Sequence, residues 1–285
     1  MFQRLLLPMR QQHSLQEAPQ SRADMHFCRL FSGDELSVSL ARHEHYLCGK
    51  LRLKPGMTVL HIGSGTGTIA VELVRFSNVK VVGVETDREK IMSAIARAEQ
   101  LHMSDRLSFI KVDSYSELSS MLPSESFDIV YAVESLRHAP SFSDVYSEMC
   151  RMLKPGGKLG IYEWCWSAMF DPSDPEHGRF TEVFEATIGL PQRDPNGRSI
   201  AAAITAIELC GMQVLLHEDL AEKQNYIPWY SILEKALSDP FQSSDEAFGQ
   251  QFFSLSRSAA YLLIQSAKSK LFTPMALFVA QRPME

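Results

Sequence analysis

The chain has 285 residues, 45% hydrophobic and 22% charged, with a formal net charge of −6 at pH 7. That content can bury one large core, or a core with a cap. An acidic balance without a basic block argues against nucleic acid as a partner, and no apolar run reaches the roughly 18 residues of a spanning helix. Five widely spaced cysteines (Cys28, Cys48, Cys150, Cys165 and Cys210) form no C-x-x-C pair. They suggest neither a metal site nor a disulfide framework and fit a reducing, cytoplasmic setting.

Residues 1–24 are polar, glutamine-rich and aperiodic, and are expected to form a flexible arm. Arg4, Arg10 and His13 precede the first acid, Glu17, which leaves a targeting segment open, although Pro8 and the short apolar run favour the arm. Leu36, Val38, Leu40, Leu47 and Leu51 suit a helix leading into the first strand. Val59-Leu60-His61-Ile62 then breaks into Gly63-Ser64-Gly65-Thr66-Gly67, and Val81-Val82-Gly83-Val84-Glu85 follows as a second strand closed by an acid. Glycines there admit a ligand close to the backbone, and Glu85 can accept hydrogen bonds from ribose hydroxyls. A dinucleotide turn reads G-x-G-x-x-G, with a helix N-terminus for the pyrophosphate. The alternating Gly63, Gly65 and Gly67 resemble instead the turn of class I S-adenosylmethionine-dependent methyltransferases.

The downstream order agrees. Phe109–Asp113 reads as a third strand whose closing acid suits an adenine amino group, Ser126–Ala132 as a fourth strand, and Leu153–Leu159 as the turn into a fifth. Strands alternating with helices imply a parallel sheet covered on both faces. Pro172, Pro175, Pro191 and Pro195 mark residues 165–198 as an insertion over the carboxyl ends of the strands, where such sheets bind ligands. A helix at 199–210 and a strand at Met212–Leu216 follow. A mainly helical insertion at about 219–270 carries Trp229, Tyr230, Phe241, Phe248, Phe252, Phe253 and Tyr261, either as its own small core or as the wall of an apolar cavity. Pro274–Ala280 is the final strand. The expected architecture is α/β: one domain over 25–285 with a class I methyltransferase (Rossmann-like) seven-stranded sheet, its last strand antiparallel, and mainly helical cap insertions.

From about residue 26 onward the chain resembles the sterol 24-C-methyltransferases. His26–Gly33 and Ala41-Arg42-His43-Glu44-His45-Tyr46-Leu47 are similar to that family's entry into the fold. Ala132–Pro140 is similar to its motif after the fourth strand, keeping Glu134 and His138-Ala139-Pro140. Tyr162-Glu163-Trp164, Asp171, Pro175-Glu176-His177, Glu218–Ala221, Ile227–Tyr230 and Lys268–Met275 complete the likeness. The departures are specific. An aromatic segment that should precede His26 is replaced by Gln20–Met25, and the family's Gly-Asp-Gly-Ile-Pro stretch reads Thr187-Ile188-Gly189-Leu190-Pro191. The second insertion is shorter, and the acid of the first strand is His61. All but His61 lie on the substrate side and point away from a sterol, toward a terpenoid or polyketide-like lipophile.

The resemblance implies S-adenosylmethionine as cofactor, held by His61, Gly63, Gly65, Gly67, Glu85 and Asp113. A protonated His61 would repel the donor's ammonium group, whereas a neutral one could accept a hydrogen bond. Methylating an alkene generates a carbocation that needs apolar walls, nearby negative charge and a base. Glu134 is the candidate for stabilising charge, His138 for accepting the proton, and Glu163 for a second cluster with Trp164 and Trp166. Tyr46, Trp164, Trp166, Trp229 and Tyr230 are the candidate substrate walls. No concentrated basic cluster is visible in the cap sequence, so an uncharged substrate is expected, with no metal and no nucleic acid. Peripheral contact with a lipid surface such as the endoplasmic reticulum is left open, as is a homo-oligomer. Two other readings stay open as well: a cyclase on the same fold without methyl transfer, and a non-catalytic homologue.

Overall fold

Helix α1 (Leu36–Leu51) buries Ser39, His43, Glu44, Leu47, Cys48 and Leu51, a stripe at helical spacing that turns one face to the sheet. It stops where Arg52 turns left-handed and its N–H returns to the Cys48 and Gly49 carbonyls. The computed structural model describes residues 26–115, 118–139, 141–190, 195–223, 226–238 and 256–284. The expected arm lies outside these residues, as do Phe241, Phe248, Phe252 and Phe253.

Strand and helix then alternate: β1 (Thr58–Ile62), α2 (Thr68–Ser77), β2 (Lys80–Glu85), α3 (Arg88–Gln100), β3 (Leu107–Lys111), α4 (Leu118–Met121), β4 (Phe127–Val133), α5 (Phe142–Met152) and β5 (Leu153–Trp166). After α6 (Pro175–Ile188), α7 (Ile200–Leu209) and β6 (Gln213–Asp219) come α8 (Ser231–Ser238), α9 (Arg257–Lys268) and β7 (Phe272–Gln281). The helix starts are chemically specified. Asp87, Ser199 and Ser256 each accept a backbone N–H from the first turn, and Asp174 does so ahead of Pro175, which supplies no N–H.

The seven strands run in the order β3-β2-β1-β4-β5-β7-β6, with β7 antiparallel to both of its neighbours, as expected. Side-chain alternation divides the core. Val59, Tyr131, Tyr162, Leu277 and Val279 pack on the side of α1, α2 and α3, whereas Leu60, Ile62, Val130, Ile161 and Phe278 pack toward α5 and α7.

Three details differ from expectation. The third strand ends at Lys111, so Asp113 stands beyond it. The Lys154-Pro155-Gly156-Gly157 turn is absorbed into β5 as an irregularity, the pairing stepping from Phe127↔Leu153 to Ile129↔Lys158. Strand β5 itself runs on to Trp166, into the stretch read as the first insertion, whose expected helix opens at Pro175.

Helix α9 packs on α6, α8 and β7, and α6 meets the carboxyl end of β5. There Trp166 stacks on Phe170 at 4.8 Å and meets Phe184 at 5.1 Å and Phe272 at 5.5 Å. A buried ion pair locks α6 to the turn ahead of α7: Arg198 Nε lies 3.4 Å from Glu185 Oε1, with side chains 0% and 3% exposed. Removing one partner strands a buried charge, at about 3–5 kcal/mol. Glu185→Ala is therefore expected to lower Tm by about 10 °C or more, with partial recovery in Glu185→Ala/Arg198→Met, read by calorimetry.

Candidate active site

Where β1 ends, the backbone turns through Gly63, Gly65 and Gly67 at φ +70°, +55° and +82°. The turn is crowded. A Cβ on Gly63 would sit 2.2 Å from the Ser135 Cβ, and one on Gly67 would sit 2.8 Å from the Phe109 ring. Glu85, at the end of β2, holds the turn from below, its carboxylate accepting N–H groups from Gly65 (3.0 Å), Thr86 (2.8 Å) and Asp87 (3.1 Å). The Ser64 hydroxyl is buried with no hydrogen-bonding partner among the described residues. Beyond β3, Asp113 keeps 75% of its side chain exposed and pairs with Lys111.

His61 is wholly buried and stacks on Tyr131 at 4.2 Å, on the side covered by α1 and α2. Neither ring nitrogen has a hydrogen-bonding partner among the described residues. Burial, reinforced by the charge of His26, pulls its pKa down to about 3. The imidazole is thus neutral, and the repulsion a charged ring would exert on an ammonium group does not arise.

The second centre is at the end of β4. Glu134 adopts a left-handed φ of +50°, which costs a non-glycine residue about 1–2 kcal/mol, and such strain gathers at functional sites. Its carboxylate is 4% exposed as a residue and is held from two directions. The Phe27 N–H donates to Oε1 at 2.6 Å and the Trp164 indole N–H to Oε2 at 2.8 Å. Burial dominates its titration: although His26, Trp164, Arg137 and the Phe27 N–H all favour the anion, the pKa is pushed up to about 7. Phe27, 5.8 Å from Trp164 and 4.8 Å from Trp229, joins both in an aromatic box, two of whose members hold this carboxyl. Arg137 lies 5.0 Å from the Trp164 ring and donates to the Glu134 carbonyl.

Behind the box, His26 Nε2 lies 3.0 Å from Glu44 Oε1 and Nδ1 lies 3.0 Å from the Phe27 carbonyl. Burial alone would lower the His26 pKa, but the hydrogen bond and charge of Glu44, with the charge of Glu134, raise it. His43, stacked between His26 and Tyr162, is held neutral by burial and by the two cations His26 and Arg29. Sequence reasoning had not assigned His26, Phe27 or Glu44 a role. The one available signal was that all three lie in the strings that open the resemblance.

The other candidates are distributed unevenly. His138 ends a short 3₁₀ turn, Leu136–His138, and its side chain lies outside the described residues. Glu163 is wholly buried, and alternation along β5 sets it with Ile161 and Cys165, on the opposite side from Trp164 and Trp166. Trp229 joins the box, and Tyr230 packs edge-on against Trp229 at 5.8 Å. Tyr46 lies farther off on α1, its hydroxyl donating to Glu218 at 2.6 Å and its ring lying 4.1 Å beneath the Arg29 guanidinium.

The family model described as a methyltransferase domain matches residues 53–188, and that described as the sterol methyltransferase C-terminal region matches 253–284. The sterol 24-C-methyltransferase of Eremothecium gossypii is 34% identical over 92% of this chain and 76% of its own length. The chain belongs to the sterol 24-C-methyltransferase family. Among solved structures, the putative sarcosine dimethylglycine methyltransferase of Galdieria sulphuraria shares the fold, with a TM-score of 0.75 at 17% identity over 92% of this chain and 94% of its own. So does the [4+2]-cyclase SpnF, with a TM-score of 0.67 at 19% identity over 92% and 88%.

As a member of this family the chain is an S-adenosylmethionine-dependent C-methyltransferase. The residues present fit that cofactor: a turn built for close backbone approach, an unpartnered hydroxyl on Ser64, and acids ending β2 and following β3. Because the Glu85 carboxylate also organises the turn, Glu85→Ala removes three charge-assisted N–H bonds, each worth about 1.5–3 kcal/mol. It is expected to lower Tm and to weaken S-adenosylhomocysteine binding together, by calorimetry, whereas Glu85→Gln can keep the Thr86 and Asp87 contacts through its one amide oxygen but loses that to Gly65, and lowers Tm less.

Proposed function

We propose that this methyltransferase transfers a methyl group to an alkene carbon of a terpenoid or polyketide-like lipophile, with Glu134 accepting the proton released afterwards. The observation that carries the reading is a buried carboxyl with a pKa near 7 inside the Phe27, Trp164 and Trp229 box. S-adenosylmethionine, held at the glycine turn, would supply an electrophilic methyl carbon and a sulfur leaving group to take the C–S electron pair. The substrate's π electrons form the new C–C bond, and a cation is left on the neighbouring carbon. The box excludes water from that cation, and the faces of Trp164 and Phe27 and the Glu134 carboxylate stabilise it. Glu134 then takes a proton from the adjacent carbon, and the C–H electrons become the new double bond. The Trp164 and Phe27 N–H groups fix the carboxyl in place and leave it a free lone pair for that proton.

In this reading the turn residues Gly63, Gly65 and Gly67, with Glu85 and Asp113, hold the cofactor, and buried neutral His61 supports the first strand. Trp164 and Trp229 face the reacting carbons, while Trp166 steadies the wall behind them. A lipophilic substrate reaches the site from a lipid surface by peripheral contact; among the described residues no helix is long and apolar enough to cross a membrane.

The test is incubation of purified protein with deuteromethyl S-adenosylmethionine and a panel of a sterol, a linear isoprenoid alcohol and an unsaturated polyketide, read by mass spectrometry. The reading expects a product heavier by one labelled methyl less a proton, formed from a non-sterol member. An isomer of unchanged mass, formed as readily with S-adenosylhomocysteine, would make the protein a cyclase.

A further inference from the structure

A cavity of about 330 Å³ lies between the loop after β6 and the end of α9. It shares Trp229 with the aromatic box, where Trp229 meets Phe27 at 4.8 Å, and Phe272 in its lining meets Trp164 at 5.6 Å. Its other side is cationic. Arg29, Lys223, Lys268 and Lys270, drawn from three separate stretches of the sequence, all line it, against two acids, Asp219 and Glu222. The cap sequence had suggested no basic cluster; folding assembles one from the N-terminal segment, the β6 exit and the α9 exit.

The charges are not equivalent. Lys223 is engaged by Glu218 at 2.8 Å and Lys268 by Glu234 at 2.5 Å. Asp219 Oδ1 accepts from the Ala221 N–H at 2.9 Å and the Thr273 hydroxyl at 2.6 Å, and burial raises its pKa. Arg29 is different. As a residue it is 7% exposed, and its Nε has no hydrogen-bonding partner among the described residues. Its guanidinium carbon lies 4.1 Å from the Tyr46 ring centre and 5.5 Å from that of Tyr226. Ring faces offset part of the cost of burying a cation but satisfy none of the in-plane N–H donors, whose fork matches a carboxylate or phosphate. Lys270, exposed at the rim in a left-handed conformation, adds positive charge at the mouth.

We propose that this cavity binds the anionic end of an amphiphilic substrate, a carboxylate or phosphate ester held by Arg29 and Lys270, while its hydrocarbon passes Trp229 and Phe272 toward Glu134. The identification of the ligand as substrate rests on the proposed function; the anion preference does not, and can be measured without methyl donor.

Trp229 fluorescence and calorimetry would compare decanoate, decyl phosphate, decanol and inorganic phosphate on the full chain. The anionic amphiphiles are expected to bind about ten- to a hundredfold more tightly than decanol. Arg29→Met should erase that preference without weakening decanol, and Arg29→Lys should restore part of it. Lys270→Gln, at an exposed position, should cost a few-fold and flatten the salt dependence, and it decides the matter if Arg29→Met fails to fold. Decanoate and decyl phosphate arms separate a carboxylate end from a phosphate end. Equal binding of decanol, inorganic phosphate binding as tightly as decyl phosphate, or unchanged preference in the variants would overturn the proposal. Lost anion preference with labelled product intact would sink this pocket alone, and the converse would sink only the methyl-transfer reading.

Discussion

Glu134→Gln is expected to slow formation of the methylated alkene product by about 10²–10⁴-fold, the range of a positioned general base, while S-adenosylhomocysteine binding changes little. The substitution keeps shape but removes both the charge and the proton acceptor. Its effect on stability runs the other way with pH. The folded carboxyl titrates at about 7 against a model value of 4.5, so the folded state holds its proton more tightly than the unfolded one. The stability this contributes is fully present below about pH 4.5 and is lost as pH rises through about 7, a total of about 3 kcal/mol. Glutamine has no such dependence. From pH 5.5 to 8 the Tm of the variant should therefore gain on that of the wild type, by about 2–4 °C per kcal/mol. A variant inactive at every pH but tracking the wild-type Tm across this range would mean that the carboxyl is not buried as described.

Gly63→Ala is expected to be the most damaging single change at the glycine turn. Its Cβ would fall 2.2 Å from the Ser135 Cβ and 2.6 Å from the Ser135 Oγ, at a φ of +70° that alanine disfavours. Ser135 cannot simply rotate away, because the clash includes its Cβ and its hydroxyl donates to the Ile62 carbonyl at 2.7 Å. Left-handed strain and overpacking together come to about 2–5 kcal/mol. Calorimetry should show a lowered Tm and no measurable S-adenosylhomocysteine binding. In a Ser135→Gly background, where the steric partner is gone, the same substitution should cost clearly less. Equal cost in both backgrounds would mean that the β1 and β4 exits do not approach as closely as described.

What could be read from the sequence follows from how local each signal is. Helix α1 has the bounds expected, but of the apolar positions that suggested it only Leu47 and Leu51 are buried: Val38 is exposed, and Ser39, His43, Glu44 and Cys48 complete the buried face instead. The glycine turn and Glu85 were legible because a strand, a turn and the next strand's end make a unit with fixed spacing. The box around Glu134 was not legible in the same way. It depends on Phe27, 107 positions away, and on Trp164, 30 away. Adjacency even misleads there: Glu163 and Trp164 are neighbours in sequence, and the pleat of β5 sends them to opposite sides of the sheet. The same holds for His61, whose neutrality comes from burial, reinforced by the charge of His26, rather than from its motif position. The cationic cavity was invisible because Arg29, Lys223 and Lys270 carry no common spacing; only the crossing of the N-terminal segment over the loop at Ile227, bonded to the Leu30 carbonyl at 3.0 Å, brings them together.

The claim on which the account turns is that Glu134 accepts a proton in a C-methyl transfer. The measurement that bears on it most directly is the single-turnover rate at which the labelled, deprotonated alkene product forms, by rapid quench, across about pH 5.5–8.5 in wild type and Glu134→Gln. A base with a pKa of about 7 predicts a rate that climbs about tenfold per pH unit below that value and levels off above it, with the climb absent from the residual activity of Glu134→Gln. A wild-type rate that is flat through pH 7, or a climb of the same midpoint and height in Glu134→Gln, would contradict it.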